Sequence, residues 1–262
     1  MCMAFEVTGA GRGGRWVISC DHATNLVPPS VNGGDLGLPA ADMARHISHD
    51  VGALGVARAL GGALEAPVIG SRFSRLVIDP NRGEEDPTLL MRLYDGSVIP
   101  ANRHAGAAER ARRLELFHRP YHAALARLMA ARTGPVLVAV HSFTPRLAGR
   151  PPRPWQIGIL SAADRRLSEA LMAQLRDADF AAWVARVSGA PLVIGDNQPY
   201  SGHLPGDSID RHALRQGHLN TLIEIRNDLI ADPADQRAWG ERLAPLLRRA
   251  LGQVTADPVA QA

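Results

Sequence analysis

The chain predicts a three-layer α/β sandwich on a mixed, mainly parallel sheet, and three observations carry that prediction. Short β-branched runs at 15–19, 67–69, 76–79, 136–140, 156–160, 192–194 and 220–226 alternate with stretches of helical periodicity. The VLVAV run at 136–140 is apolar at every position, as a strand covered on both faces must be. No repeat, low-complexity tract or linker divides the 262 residues, so a single domain over 1–262 is predicted.

The first strand, 15–19, gives way to CDHATNLVPP. Pro28 and Pro29 bar an immediate helix, which leaves Asp21 to Asn25 in a loop at the strand end. Residues 40–64 place Met43, Ile47, Val51, Leu54, Leu60 and Leu64 at helical spacing, with His46 and Asp50 sharing a face at i, i+4 and His49 turned toward solvent. In SRLVIDPNR the apolar run at 76–78 reads as a buried strand that ends in Asp79, Pro80, Asn81 and Arg82. Residues 86–103 are irregular, and 105–131 is an arginine-rich helical region interrupted at Pro120, where packing is the predicted role of Tyr121 and His122.

The strand at 136–140 ends in His141. A helix over 164–177 is predicted with Ser161 as its cap, and a short helix over 208–216 is stopped by Gly217. In NTLIEIR at 220–226, Leu222, Glu224 and Arg226 share one face, with Thr221, Ile223 and Ile225 on the other. A helix over 233–251, with Trp239, Leu243, Leu246 and Leu247 inward, closes the chain, and the last ten residues carry no packing signal.

Composition excludes several classes. All 29 basic side chains are arginine, which removes phosphate-binding lysines, Schiff-base chemistry and lysine bases. Those arginines are scattered among carboxylates and only 5% of residues are aromatic, which argues against nucleic acid despite the net charge of +3. No run of 18 apolar residues spans a membrane and the first fifteen residues lack a signal-peptide core, so a cytoplasmic protein is predicted. Two cysteines, Cys2 and Cys20, build no disulfide framework. Cys20 beside His22 reads either as a nucleophile or, better, as a small buried hydrophobe.

The remaining polar residues form a set. His22 and His141 lie at strand ends, and each reads as a metal ligand, a general base or a loop donor. Glu224 sits in an apolar strand, where it needs a function or a partner such as Arg226. Arg82 is either an anion clamp or a surface partner of Asp79 or Glu84. Two histidines, a carboxylate as third ligand, a glutamate and an Asn-Arg pair are the parts of a mononuclear zinc hydrolase. Such a metal has three protein ligands and one water, which a non-ligand glutamate deprotonates.

These residues lie in motifs that resemble the N-formylglutamate amidohydrolases, more loosely the aspartoacylases and zinc carboxypeptidases: DHATNLVP at 21–28, HDVGA at 49–53, SRLVIDPNR at 74–82, YHAAL at 121–125, HSFTP at 141–145 and LIEIRNDL at 222–229. The resemblance implies a phosphorylase/hydrolase-like fold and hydrolysis of an N-acyl amino acid, N-formyl-L-glutamate first, as a step of histidine degradation. It also implies one zinc ion on His22 and His141, Glu224 as catalytic base, and Asn81 and Arg82 as the carboxylate clamp, with Arg75, Arg103 and Arg226 the next candidates. The relatives with His-x-x-Glu carry a glutamate where this chain has Asn25, so the third ligand is assigned to Asp50, with Asp79 in reserve. A binding protein, or an amidohydrolase of the same fold acting on a different carboxylated ligand, is the alternative.

Overall fold

The computed structural model describes residues 4–202 and 204–256. Its elements are, in chain order, β1 (Phe5–Thr8), β2 (Trp16–Cys20), α1 (Ala40–Met43), α2 (Ala53–Ala63), β3 (Val68–Ser71), β4 (Leu93–Tyr94), β5 (Ser97–Val98), α3 (Ala107–Arg113), α4 (Arg119–Ala130), β6 (Val136–Phe143), β7 (Ile157–Leu160), α5 (Arg166–Gln174), α6 (Ala178–Ser188), β8 (Ile194–Asp196), α7 (Ser208–His212), β9 (Leu219–Arg226) and α8 (Pro233–Ala256). Seven strands form one sheet in the order β1-β3-β2-β6-β9-β7-β8. Strands β3, β2, β6 and β9 are mutually parallel, β7 runs against β9, and β1 runs against β3, so the sheet is mixed and mainly parallel.

Helices cover both faces. The side chains of Ile18, Val138, Val140 and Ile223 pack with α2, α5, α6 and α8 in the larger core, while Val17, Leu137, Ala139 and Leu222 meet α4 and α7 on the other face. Alternation along each strand makes this division, and it puts His141 and Glu224 on the α4 and α7 side with Leu137 and Leu222. Trp239, Leu243 and Leu247 are fully buried on the inner face of α8, as their spacing predicts.

Four expectations change. Residues 76–78 are not a strand. Leu76, Val77 and Ile78 are wholly buried in a separate cluster with Phe73, Leu114 and Phe117. The first two carbonyls are satisfied by side chains, Leu76 from Asn102 Nδ2 at 2.7 Å and Val77 from Arg113 Nη1 at 2.8 Å. Apolar periodicity reads burial, and here the burial belongs to a compact loop. The predicted helix over 40–64 breaks between Met43 and Ala53, where Gly52 adopts φ 79° and a Cβ would stand 2.2 Å from the Ile230 carbonyl oxygen. That break takes Asp50 off the face of His46, which pairs instead with Asp95 at 3.3 Å. His141 lies inside β6, which runs to Phe143, and Ser161 does not cap α5, whose first turn follows Arg165.

Strand β1 and helix α6 were not predicted, although α6 had usable signals in Asp177 as its N-cap, Phe180, Trp183 and Val184 at helical spacing, and Gly189 at its end. Residues 114–118, just before Pro120, form a π-helical turn between α3 and α4. Cys2 and residues 257–262 lie outside the described residues, and α8 continues five residues beyond 251. Among the described residues, no helix is long and apolar enough to cross a membrane.

Asn102 ties the 72–103 segment together, since its Nδ2 also donates to Met91 O at 2.7 Å and its Oδ1 accepts from Arg113 at 2.8 Å. Asn102→Ala strands three buried polar groups and is expected to destabilise the protein by about 3 kcal/mol, read as a lowered urea midpoint.

Candidate functional site

The carboxyl ends of β2, β6 and β9 meet at the point where the chain leaves β2 for β3 on one side while β6 lies on the other. Crevices at such a switch point are where open α/β sheets place ligands. Asp21 and His22 follow β2 directly, His141 lies near the end of β6, and Glu224 is its partner in register on β9.

Asp50 is the hub. Its Oδ2 lies 3.2 Å from His22 Nδ1, 2.8 Å from His141 Nδ1 and 3.3 Å from the Ser142 backbone nitrogen. The loop that presents it is tied to β2 by the Asp50 N–H, which donates to His22 O at 2.9 Å. On their far sides, His22 Nε2 meets Asp79 Oδ1 at 2.7 Å and His141 Nε2 meets Asp21 Oδ2 at 3.3 Å. Asp79 is fixed in turn by Arg75, whose Nε and Nη2 donate at 3.2 and 2.8 Å, and by the Asn81 N–H at 2.9 Å. Asp21 accepts from Tyr121 Oη at 2.5 Å and Ser208 Oγ at 2.9 Å.

His22, Asp50 and His141 offer two nitrogens and one oxygen within 4.8 Å of one another, all buried, and so could hold a metal ion. The donor chemistry fits a divalent cation. Each imidazole turns Nδ1 inward and backs Nε2 with a carboxylate, the outer pairing that orients metal-binding histidines. Three buried carboxylates, Asp21, Asp50 and Asp79, surround the point, with Arg75 the fixed cation among them. Two further positive charges close that balance.

The titration shifts report the same excess of negative charge. Burial would raise the Asp50 and Asp79 carboxyls, yet both are held below the carboxylate range, Asp50 by His22 and His141 and Asp79 by Arg75 and His22. Burial would lower His141, but its bonds to Asp21 and Asp50 push it well above the usual imidazole range. Glu224 behaves oppositely. Burial pushes its carboxyl up to about 8, and its Oε2 is buried without a hydrogen-bond partner among the described residues.

A cavity of about 430 Å3 opens over these groups, and His22, Asp50, His141, Glu224, Asn81 and Arg82 all reach it. Tyr94, Phe143 and Tyr200 give it aromatic walls. Arg82 donates to Thr88 Oγ1 at 3.0 Å and to its neighbour's carbonyl at 2.8 Å, so neither Asp79 nor Glu84 occupies it.

Other candidates lie elsewhere or are engaged. Arg75 borders the cavity, but its donors are directed to Asp79 and Asp50. Arg226 pairs with Asp228 at 2.8 Å and is absent from the cavity wall, so it is neither a clamp nor the partner of Glu224. Arg103 is exposed and also absent from that wall. Asn25 donates to Met43 O at 2.9 Å and plays no part in the cluster, while Asp79 stands behind His22. Cys20 points into the apolar core beneath α2 and burial pushes its thiol up, which removes it as a nucleophile.

Sequence reasoning passed over Asp21 and Ser208, and treated Tyr121 as packing. Asp21 is fully buried and needs the partners it has in Tyr121 and Ser208, both remote in the chain, which is why the sequence alone did not single it out.

A family model described as N-formylglutamate amidohydrolase matches residues 14–231. Gene product Atu2144 from Agrobacterium tumefaciens is 35% identical, with 96% of each chain covered and a TM-score of 0.85. N-formylglutamate amidohydrolase from Ralstonia eutropha JMP134 is 20% identical over 95% of this chain and 99% of its own, with a TM-score of 0.58, a likeness of fold. No curated protein matches the chain.

His22→Ala and His141→Ala are each expected to abolish binding of one equivalent of zinc, measured by metal analysis after dialysis. Full stoichiometry in the double variant would show that the cluster is not a metal site.

Proposed function

The chain belongs to the N-formylglutamate amidohydrolase family, and from that premise we propose that it hydrolyses the amide bond of an N-acyl amino acid, N-formyl-L-glutamate to formate and L-glutamate, with one zinc ion on His22, Asp50 and His141. The observation that carries the reading is Glu224, a buried carboxyl with one oxygen unpartnered among the described residues, paired in register with His141 and facing the same cavity as Arg82.

Arg82 binds a substrate carboxylate through its remaining guanidinium donors, and Asn81 lines the cavity beside it, so the amide is held over the cluster. His22, Asp50 and His141 would hold a divalent cation there, which would supply Lewis acidity for the acyl carbonyl and the attacking water. Glu224 takes a proton from that water as the new C–O bond forms, and returns it to the departing nitrogen as the C–N bond breaks. A carboxyl that burial holds near 8 is protonated at neutral pH, and a cation held by the cluster would draw it back to the ionised state that a base needs. Asp79 and Asp21 keep His22 and His141 oriented, and the aromatic walls limit water around the acyl group.

Glu224→Gln keeps the shape and the ligands, so it is expected to retain zinc and substrate binding while turnover falls roughly a hundredfold or more. A lowered melting temperature with unchanged activity per folded molecule would remove Glu224 from the mechanism. Arg82→Ala is expected to cost about 3 kcal/mol in kcat/KM on carboxylated substrates and little on uncharged ones. Normal turnover of acidic substrates by that variant would place the clamp elsewhere.

A further inference from the structure

Three buried histidines stand behind the turn that carries Asn81 and Arg82, and none of them belongs to the cavity wall. His118 ends the π-helical turn, His122 lies one turn further in α4, and their ring centroids are 4.4 Å apart. His212 closes α7 and stacks on His122 at 5.1 Å.

Their hydrogen bonds run in one direction. His118 Nε2 lies 2.9 Å from the Arg82 carbonyl oxygen, His122 Nε2 lies 2.9 Å from that of Pro80, and His122 Nδ1 lies 2.9 Å from His212 Nε2. Carbonyls only accept, so both Nε2 atoms carry the hydrogen, and His122 Nδ1 is left to accept from His212 Nε2–H. Burial holds all three imidazoles below their usual range, which is the neutral state this pattern needs. The carbonyls on either side of Asn81 are therefore each held by an imidazole. Helix α7 adds the Ser208 N–H, which donates to Asn81 Oδ1 at 3.4 Å. Among the described residues, neither the Pro80 nor the Arg82 carbonyl receives a backbone N–H.

We infer that His118 and His122, with His212 behind them, are positioning residues that set the direction of the Asn81–Arg82 clamp by gripping the carbonyls on either side of Asn81. The π-helical turn is part of the device. It widens the helix where His118 must reach Arg82, and Pro120, with no N–H to place, follows it. The inference rests on the reading of Arg82 as the carboxylate clamp.

The test compares His118→Phe and His122→Phe, which keep a flat ring and lose the donor, with the corresponding Gln variants, whose amide N–H lies near the former Nε2. The substrates are N-formylglutamate and its diamide, which has no carboxylate. The Phe variants are expected to raise KM for N-formylglutamate roughly tenfold with kcat held within about twofold, to leave the diamide unaffected, and to be rescued by Gln. Unchanged KM in folded Phe variants overturns the inference. Equal losses on both substrates, or a fall in Tm that Gln does not repair, overturn it too, because packing alone would then explain the histidines. If the wild-type protein hydrolyses neither substrate, the proposed reaction falls and the Kd of N-formylglutamate by calorimetry decides. The Phe variants must then raise it, and no binding at all overturns both readings.

Discussion

A carboxylate oxygen that lies within 3.2 Å of an imidazole nitrogen on each of two histidines at once is the constraint around which this protein is arranged. Asp50 Oδ2 cannot serve His22 and His141 together unless the ends of β2 and β6 and the break before α2 converge within hydrogen-bonding distance. The convergence explains several otherwise separate features. Gly52 must adopt a left-handed conformation to turn the chain into α2 directly after the loop. Arg75 is buried to face Asp79 and Asp50, and Tyr121 and Ser208 reach across from two helices to satisfy Asp21. A cluster this rich in buried charge is costly unless each member is paired, and the pairing recruits residues from almost every layer of the fold.

The sheet separates two tasks. One face of β6 and β9 gives its side chains to the apolar core beneath α2, α5, α6 and α8, and the other gives His141 and Glu224 to the cavity. The alternation means that an ordinary packed core can lie one residue away from a costly polar site on the same strand. It also explains why Glu224 is desolvated without being mispacked. Its strand neighbours are apolar, but they face the other way.

Much of this was legible in the sequence where local pattern decides the outcome. Strands β2, β6 and β9 follow from β-branched runs, and the facing of Leu222 and Glu224 follows from alternation. The inner face of α8 follows from the spacing of Trp239, Leu243 and Leu247. The cluster of His22, Asp50 and His141 was reachable because strand ends and motif resemblance point to the same residues. What escaped was decided by partners far away in the chain. Residues 76–78 have the apolar character of a strand, but Asn102 and Arg113 satisfy the Leu76 and Val77 carbonyls in place of a neighbouring strand. Arg75 and Arg226 resemble substrate anchors until Asp79 and Asp228 are seen beside them. Asp21 gains its meaning from Tyr121 and Ser208, each about a hundred residues or more distant, which no local reading could supply.

The register that pairs His141 with Glu224 has a mechanical side. Strand β9 is hydrogen-bonded to β6 on one edge and to β7 on the other, so Glu224, the proposed base, sits on a rung held from both sides. Asn81 and Arg82 ride on a turn that no ladder holds, suspended by side chains from elsewhere in the chain. The compliance of the two ends differs accordingly. Recognition can drift through a few substitutions among those supporting side chains while the chemistry stays registered on the sheet. Under the proposed function, descendants of one such scaffold can thus come to prefer different substrates without rebuilding the rung that carries Glu224.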